Sequence, residues 1–156
     1  MKPKFVFCDE PVSALDASVR AQVLNLMKKI QREMNLTYMF ISHDLGVVRF
    51  LCNRVGVMYL GRIVELANKE DLYTKAAHPY TQALLSSIPV PDIDVPSERI
   101  ILKGEIPSPY NPPSGCNFHT RCSYATQRCV QEEPDICDLG DGHYVSCHLY
   151  SDKRTS

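Results

Sequence analysis

Two short apolar runs, Phe5–Cys8 and Thr37–Ile41, stand near the start of the chain. Runs of this length, rich in aromatic and β-branched residues, predict buried strands. Between them apolar residues recur at helical spacing as far as about Met34, which predicts an amphipathic helix facing a core. Asp16 or Ser18 can cap the start of that helix. The pattern therefore predicts a strand, a helix and a second strand.

Downstream, the pattern predicts shorter elements. Residues 54–59 and 62–66 flank Leu60-Gly61 and predict a β-hairpin. Helices are predicted from Ser42 or Asp44 to about Cys52, over 68–73, and from Pro79 through Ser87. An order of strand, helix, strand, helix and hairpin indicates an α/β fold whose first strands are parallel.

Composition adds limits to this picture. The chain has 156 residues, of which 44% are hydrophobic and 22% charged, with a formal net charge of -1. These values are ordinary for a globular protein, and they give no electrostatic drive toward nucleic acid. No run approaches the length of a membrane span, and no signal peptide is recognisable, so a cytosolic location is expected. A proline-rich stretch near residue 90 predicts a division into residues 1–90 and 91–156.

Polar groups follow each of the two predicted strands. Asp9 and Glu10 follow the first strand, and His43 follows the second. Because the carboxyl ends of parallel strands share one edge of a sheet, His43 is expected near the two carboxylates. Asp9 would then support Mg²⁺ and Glu10 would face an attacking water. The alternative is that these are solvated charges and a polar helix cap.

Residues 8–16, Cys-Asp-Glu-Pro-Val-Ser-Ala-Leu-Asp, closely resemble the Walker B and D-loop segment of ABC transporter ATPases. Residues 41–45 resemble the switch histidine segment of that family, and the hairpin at 57–65 also matches. The resemblance implies that Asp9 supports Mg²⁺, that Glu10 is the general base or positions the water, and that His43 contacts the γ-phosphate of ATP. Ser13 to Asp16 would form a loop that communicates across a nucleotide-sandwich dimer.

Later segments narrow the resemblance to the ATPases of oligopeptide, dipeptide or nickel importers. These segments are residues 77–85, 102–109 and 115–122. The implied fold is the C-terminal part of a P-loop ABC ATPase sheet with flanking helices, followed by an irregular cysteine-rich extension. The implied partners are a second ATPase subunit, membrane permease subunits and, indirectly, a peptide-binding protein. The implied location is the inner face of the cell membrane, and no nucleic acid partner is implied.

The 156 residues contain no Gly-rich Walker A loop, Q-loop or Leu-Ser-Gly-Gly-Gln signature. We therefore expect a C-terminal piece of an ATPase subunit that starts at Walker B. Without the glycine-loop amides and their lysine, most of the phosphate-binding free energy is missing. No measurable ATP hydrolysis by this chain alone is expected. The edge of the first strand is expected to pair with another chain or to favour aggregation.

Five of the seven cysteines lie in the last third of the chain. Four of them are separated by five, six and seventeen residues: Cys116, Cys122, Cys129 and Cys147. Four thiolates can hold Zn²⁺ or an iron–sulfur cluster, and the family resemblance favours a structural [4Fe–4S] cluster. Cys137 is taken as a spare thiol. His119, His143 and His148 could replace a ligand or bond loop carbonyls, and the cysteines could instead be free thiols or form disulfides.

Two functions therefore compete. The first is a part of an ATPase subunit that couples ATP hydrolysis to peptide import, inactive alone. The second is a non-enzymatic metal or iron–sulfur binding module on a vestigial ATPase scaffold. Stabilisation by ATP would support the first, whereas a brown colour lost on reduction or chelation would support the second. A nucleic-acid-binding role lacks a basic patch.

Overall fold

The computed structural model describes residues 3–88 and 99–154 of the chain. It divides into two compact units, Met1–Asn53 and Arg54–Ser156. Each unit contains a β-sheet and helices, so the α/β class predicted from the pattern is confirmed. The predicted division near residue 90 lies outside the described residues.

The first unit contains two parallel strands, β1 (Phe5–Asp9) and β2 (Thr37–Ile41). Their pairing runs in register, with Phe5 opposite Thr37 and Asp9 opposite Ile41. Helix α1 (Ala17–Met34) connects them, as a parallel pair requires. The predicted parallel start of the sheet is therefore confirmed, and both strands end at the same edge.

Aspartate side chains cap the N-terminal ends of both helices in this unit. The carboxylate of Asp16 accepts hydrogen bonds from the backbone N–H groups of Ser18 and Val19 at the start of α1. Asp44 does the same for helix α2 (Leu45–Leu51), accepting from Gly46 and Val47. Of the cap residues that the sequence left open, the two aspartates are the ones used.

A small core lies between the helices and one face of the strands. Its buried members are Val12, Leu24, Val47 and Leu51, and Phe40 packs against them. Val12 and Leu24 come from the loop after β1 and from α1, and Val47 and Leu51 come from α2.

The prediction that β1 and β2 are buried strands is wrong for one face of the sheet. Phe5, Phe7 and Met39 are 55%, 53% and 52% exposed, and Ile41 is also exposed. Side chains alternate along a strand, so these four share the face opposite Val6, Cys8, Tyr38 and Phe40. The Tyr38 hydroxyl reaches the Met27 carbonyl of α1, which shows that the helix covers that other face. Cys8 and Cys52, predicted to be buried, are only partly buried.

The second unit is built on a four-stranded antiparallel sheet with the order β3-β4-β6-β5. The predicted hairpin is confirmed as β3 (Arg54–Tyr59) and β4 (Arg62–Asn68), with Leu60 and Gly61 in the turn at positive φ. Strands β5 (Ile136–Asp138) and β6 (Tyr144–Ser146) come from the cysteine-rich region, and β6 pairs directly with β4. The extension expected to be irregular thus contributes half of this sheet.

Three α-helices complete the described part of this unit: α3 (Lys69–Lys75), α4 (Pro79–Ser86) and α5 (Gln127–Gln131). Pro79 occupies the first turn of α4, as predicted, and the buried His78 caps it by accepting from the Tyr80 N–H at 3.1 Å. Short 3-10 helices lie at His119–Arg121 and His148–Arg154.

Candidate functional site

The predicted catalytic carboxylate leaves the strand in an unusual backbone conformation. Strand β1 ends at Asp9, and Glu10 has φ of +43°, in the left-handed region that non-glycine residues seldom occupy. Its N–H still donates to the Ile41 carbonyl at 3.0 Å, so the backbone remains attached to the end of β2. Strained residues of this kind are concentrated at active sites and ligand clamps.

The structure brings Glu10 and His43 together. Oε1 of Glu10 lies 2.9 Å from Nδ1 of His43, although the two residues are 33 positions apart. Both side chains are exposed, with 46% and 72% of their surfaces accessible. The expectation that parallel strand ends place His43 beside the carboxylates is confirmed for Glu10. When Nδ1 carries the ring proton, it can donate a hydrogen bond to this carboxylate.

Asp9 is the last residue of β1, opposite Ile41, and it is exposed at the same edge. Its carboxylate is the kind of oxygen ligand that Mg²⁺ prefers. Asp9 and Glu10 therefore place two exposed carboxylates at this edge of the sheet.

The loop from 11 to 16 is tied to Glu10 and to α1. The N–H and hydroxyl of Ser13 both donate to the Glu10 carbonyl, at 3.3 and 3.0 Å. At the other end, Asp16 accepts from Ser18 and Val19. The Val19 backbone bond and the Ser18 hydroxyl lower the pKa of the Asp16 carboxyl. In this structure Ser13 and Asp16 therefore hold the loop in shape.

Arg20 is a residue of this site that the sequence pattern missed. Its Nη1 donates to Oδ2 of Asp44 at 2.9 Å, and its Nη2 donates to the Leu15 carbonyl at 3.0 Å. The helical spacing of apolar residues says nothing of these contacts, and no local signal marks the two acceptors of Arg20.

The four cysteines predicted to be ligands all lie in the second unit. The Cys116 N–H donates to the Cys129 carbonyl at 2.8 Å, which draws two of their backbones together. Burial raises the pKa of the Cys147 thiol to about 11, and the thiols of Cys116, Cys122 and Cys129 add to that rise. Burial also raises the pKa of Cys116, with smaller contributions from Cys129 and Cys122. These four thiols are therefore close enough to influence one another.

The described residues nevertheless contain no group of three or more His, Cys, Asp or Glu placed to hold a single metal ion. All seven cysteines are free thiols. Neither the iron–sulfur cluster nor the zinc alternative therefore gains support from this arrangement of the described residues. Cys137, taken as a spare thiol, is buried in a core with Ala77, Val145 and Cys147.

The three nearby histidines have other partners. His119 Nδ1 lies 2.8 Å from the Cys116 carbonyl, and His148 Nε2 lies 3.0 Å from the Glu132 carbonyl. The sequence left open whether the histidines replace a metal ligand or bond loop carbonyls. His119 and His148 bond loop carbonyls. His143 instead bonds the buried carboxylate of Glu65 at 2.7 Å.

Glu65 is the centre of a buried polar network that the sequence did not reveal. Its Oε1 accepts from the Ala77 N–H at 2.7 Å, and its Oε2 accepts from the His78 N–H at 2.9 Å. A fully buried carboxylate is tolerated when its oxygens are hydrogen-bonded in this way. The network joins β4, the start of α4 and the turn before β6.

No helix in the described part of the chain is both long and apolar enough to span a membrane.

Comparison with known proteins gives a consistent assignment. Residues 64–129 match the family model described as the C-terminal region of the oligopeptide/dipeptide transporter. Over 153 residues, the chain is 57% identical to the oligopeptide transport ATP-binding protein AppF of Bacillus subtilis (strain 168), covering 97% of this chain and 46% of AppF.

Two further relatives extend the match. YkfD of the same organism, provisionally assigned to oligopeptide transport as an ATP-binding protein, is 51% identical over 99% of this chain and 48% of its own length. A Brucella ovis protein, provisionally assigned to peptide import as an ATP-binding protein, is 54% identical over 94% of this chain and 46% of its own. The chain spans about half the length of the curated relatives it matches.

The resemblance drawn from the motifs is thereby confirmed: the chain is similar to ATP-binding proteins named for oligopeptide transport, and its residues 64–129 match the C-terminal region of the oligopeptide/dipeptide transporter.

Proposed function

We propose that this chain supplies the water-activating and switch residues of an ATPase subunit that drives peptide import. The observation that carries the proposal is the 2.9 Å contact between Glu10 and His43 where two parallel strands end. Relatives named for oligopeptide transport and ATP binding, at more than half identity, support the same assignment.

Each residue has a role that follows from its position. Glu10 is exposed and ionisable at the strand end, so its carboxylate can accept a proton from a water molecule bound beside it. In its imidazolium form, His43 donates through Nδ1 to that carboxylate and can donate through Nε2 to a phosphate oxygen. Asp9 would hold Mg²⁺, which supplies charge neutralisation to the phosphates of ATP when it is bound.

The proposal includes the assembly around the chain. A second ATPase subunit would face the loop from Ser13 to Asp16. The conformational change that accompanies ATP hydrolysis would be transmitted to permease subunits in the membrane. The subunit would lie at the inner face of the cell membrane. The expectation that this chain alone hydrolyses no ATP belongs to the same proposal.

The test is ATP turnover by the assembled transporter that contains this sequence. Glu10→Gln keeps the size of the side chain but removes the base, and it should lower turnover by about 10²–10⁴-fold while ATP binding persists. Glu70→Gln, on the exposed face of α3, is the matched control and should leave turnover unchanged. Turnover that survives Glu10→Gln would overturn the assignment of the base.

A second proposal concerns the cysteine region. We infer that Cys116, Cys122, Cys129 and Cys147 hold a structural [4Fe–4S] cluster, and the mutual influence of the four thiols supports this. Four Cys thiolates are the usual ligand set of such a cluster. Loading would release protons from the thiols that become ligands.

Anaerobic purification followed by visible absorption and iron and sulfide analysis tests this second proposal. Serine at any of the four positions should remove the brown colour. Cys8→Ser, in the first unit, is the control and should retain it. A colourless protein with stoichiometric zinc, or one with no metal at all, would overturn the cluster.

A further inference from the structure

One arginine of α1 binds two segments that flank the candidate site. Nη1 of Arg20 reaches the Asp44 carboxylate at 2.9 Å, and Nη2 reaches the Leu15 carbonyl at 3.0 Å. The side chains of Arg20 and Asp44 are only 32% and 37% exposed. Nε of Arg20 is buried, without a hydrogen-bond partner among the described residues. The two Nη contacts therefore set the orientation of the guanidinium.

The two acceptors belong to different parts of the site. Leu15 lies in the loop after Glu10, and its N–H donates to the Val12 carbonyl. Asp44 directly follows His43, and its other carboxylate oxygen, Oδ1, caps α2. A planar guanidinium can hold two acceptors in a fixed relation, which an ammonium cannot do.

These contacts close a ring of interactions. Glu10 touches His43 directly, and it is joined to the loop because Ser13 donates twice to its carbonyl. The loop reaches Asp44 through Arg20, and Asp44 is the chain neighbour of His43. Glu10 and His43 are thus connected both by their own contact and by a second route through the arginine.

We propose that Arg20 is a positioning residue that couples the shape of the 11–16 loop to the placement of the His43 ring. The inference rests on the proposed function, because it assigns a purpose to the Glu10–His43 pair. Displacement of the loop would move the Leu15 carbonyl and the guanidinium bound to it. The guanidinium would in turn shift Asp44, the residue next to His43. Removing Arg20 leaves the pair with its direct, exposed hydrogen bond and the backbone bond from Glu10 to the Ile41 carbonyl.

The test reads the His43 ring directly in the full chain without nucleotide. The ¹⁵N chemical shifts of the imidazole report which ring nitrogen carries the proton. In the parent protein the proton should reside on Nδ1, held by Glu10. Arg20→Ala should shift the signals toward the Nε2-protonated form, and Arg20→Lys should restore the parent pattern only in part. Arg32→Ala, on the same helix, is the control and should change nothing.

A coupling measurement separates positioning from general support. Ser13→Ala removes the hydroxyl bond to the Glu10 carbonyl and should move the His43 signals when Arg20 is present. In the Arg20→Ala background it should move them much less. If Arg20→Ala does not fold, Asp44→Asn replaces it, because asparagine keeps the helix cap while weakening the contact with the arginine.

The proposal is overturned if folded Arg20→Ala or Asp44→Asn leaves the His43 shifts at their parent values, or if Arg32→Ala alters them equally. The outcome is independent of ATP turnover. If the His43 shifts do not respond to Arg20 but turnover still falls with Glu10→Gln, this inference is wrong and the proposed function stands. If the His43 shifts respond to Arg20 but turnover survives Glu10→Gln, the coupling stands and the proposed function is wrong.

Discussion

Nε2 of His143 lies 2.7 Å from Oε1 of Glu65, and the two residues are 78 positions apart. The side chain of Glu65 has no accessible surface, and that of His143 has 8%. The carboxylate also accepts hydrogen bonds from two backbone N–H groups. This pair fastens the cysteine-rich region to the hairpin that precedes it in the chain.

Replacement of Glu65 by glutamine should destabilise the second unit. The amide has one acceptor oxygen, so its NH₂ group must face at least one of the three donors that now point at the carboxylate. Leaving a buried donor without an acceptor typically costs about 1–3 kcal/mol. Urea unfolding measures the loss. Glu33→Gln, at an exposed site on α1, is the control, and a loss at Glu65 no larger than the control's would contradict the prediction.

The buried His78 should make stability depend on pH. Burial lowers the pKa of its imidazole from 6.5 to about 4, with Glu65 opposing the shift. Between these values the unfolded chain binds a proton that the folded chain does not, so stability falls as the pH drops from 6.5 to 4. From pH 7.5 to pH 5 the loss should be about 2 kcal/mol.

His78→Asn tests this origin of the pH dependence. Asparagine can still cap α4 but does not titrate in this range. The variant should be less stable at neutral pH and should show a weaker dependence of unfolding free energy between about pH 5 and 7.5. An unchanged pH slope would assign the dependence to other groups.

Gly115 should tolerate no side chain. A Cβ there would lie 2.5 Å from the Cys129 carbonyl oxygen and 2.8 Å from Val130, and φ is +67°. Gly115→Ala should destabilise the protein by more than the roughly 1–2 kcal/mol that a left-handed backbone costs alone. Gly140→Ala has positive φ but open space around the Cβ, so it isolates the backbone cost. Equal unfolding free energies for the two variants would refute the steric argument.

Tyr59→Phe should be neutral or stabilising. The Tyr59 ring packs edge-on against Tyr80 and Phe118, but its hydroxyl is buried without a hydrogen-bond partner among the described residues. Removing an unsatisfied buried hydroxyl relieves a penalty of about 1–3 kcal/mol. A clear loss of stability in thermal or urea unfolding would mean that the hydroxyl has a partner.

The local elements of this chain were predictable because their signals are local. Helical spacing, the Asp16 and Asp44 caps, Pro79 and the Leu60-Gly61 turn each act within a few residues. The Glu10–His43 contact could be anticipated because parallel strands bring their ends together. These predictions needed only the period of the pattern and the geometry of a parallel pair.

The remaining features depend on contacts between distant parts of the chain. Nothing near Glu65 indicates that it meets His143, and nothing near Arg20 shows that it binds Asp44 rather than water. The pairing of β4 with β6 also joins segments far apart in sequence. The burial of β1 and β2 was overestimated because an apolar run does not reveal whether both faces of a strand will be covered.

The strand order β3-β4-β6-β5 has a consequence for synthesis on the ribosome. The hairpin of β3 and β4 emerges first, but the strand that pairs with β4 follows only at residues 144–146. Until then the Glu65 carboxylate can accept hydrogen bonds from the Ala77 and His78 N–H groups. Its side toward the future position of His143 remains exposed to water. A nascent chain that stalls before β6 therefore exposes the free edge of β4 together with a carboxylate that lacks its histidine.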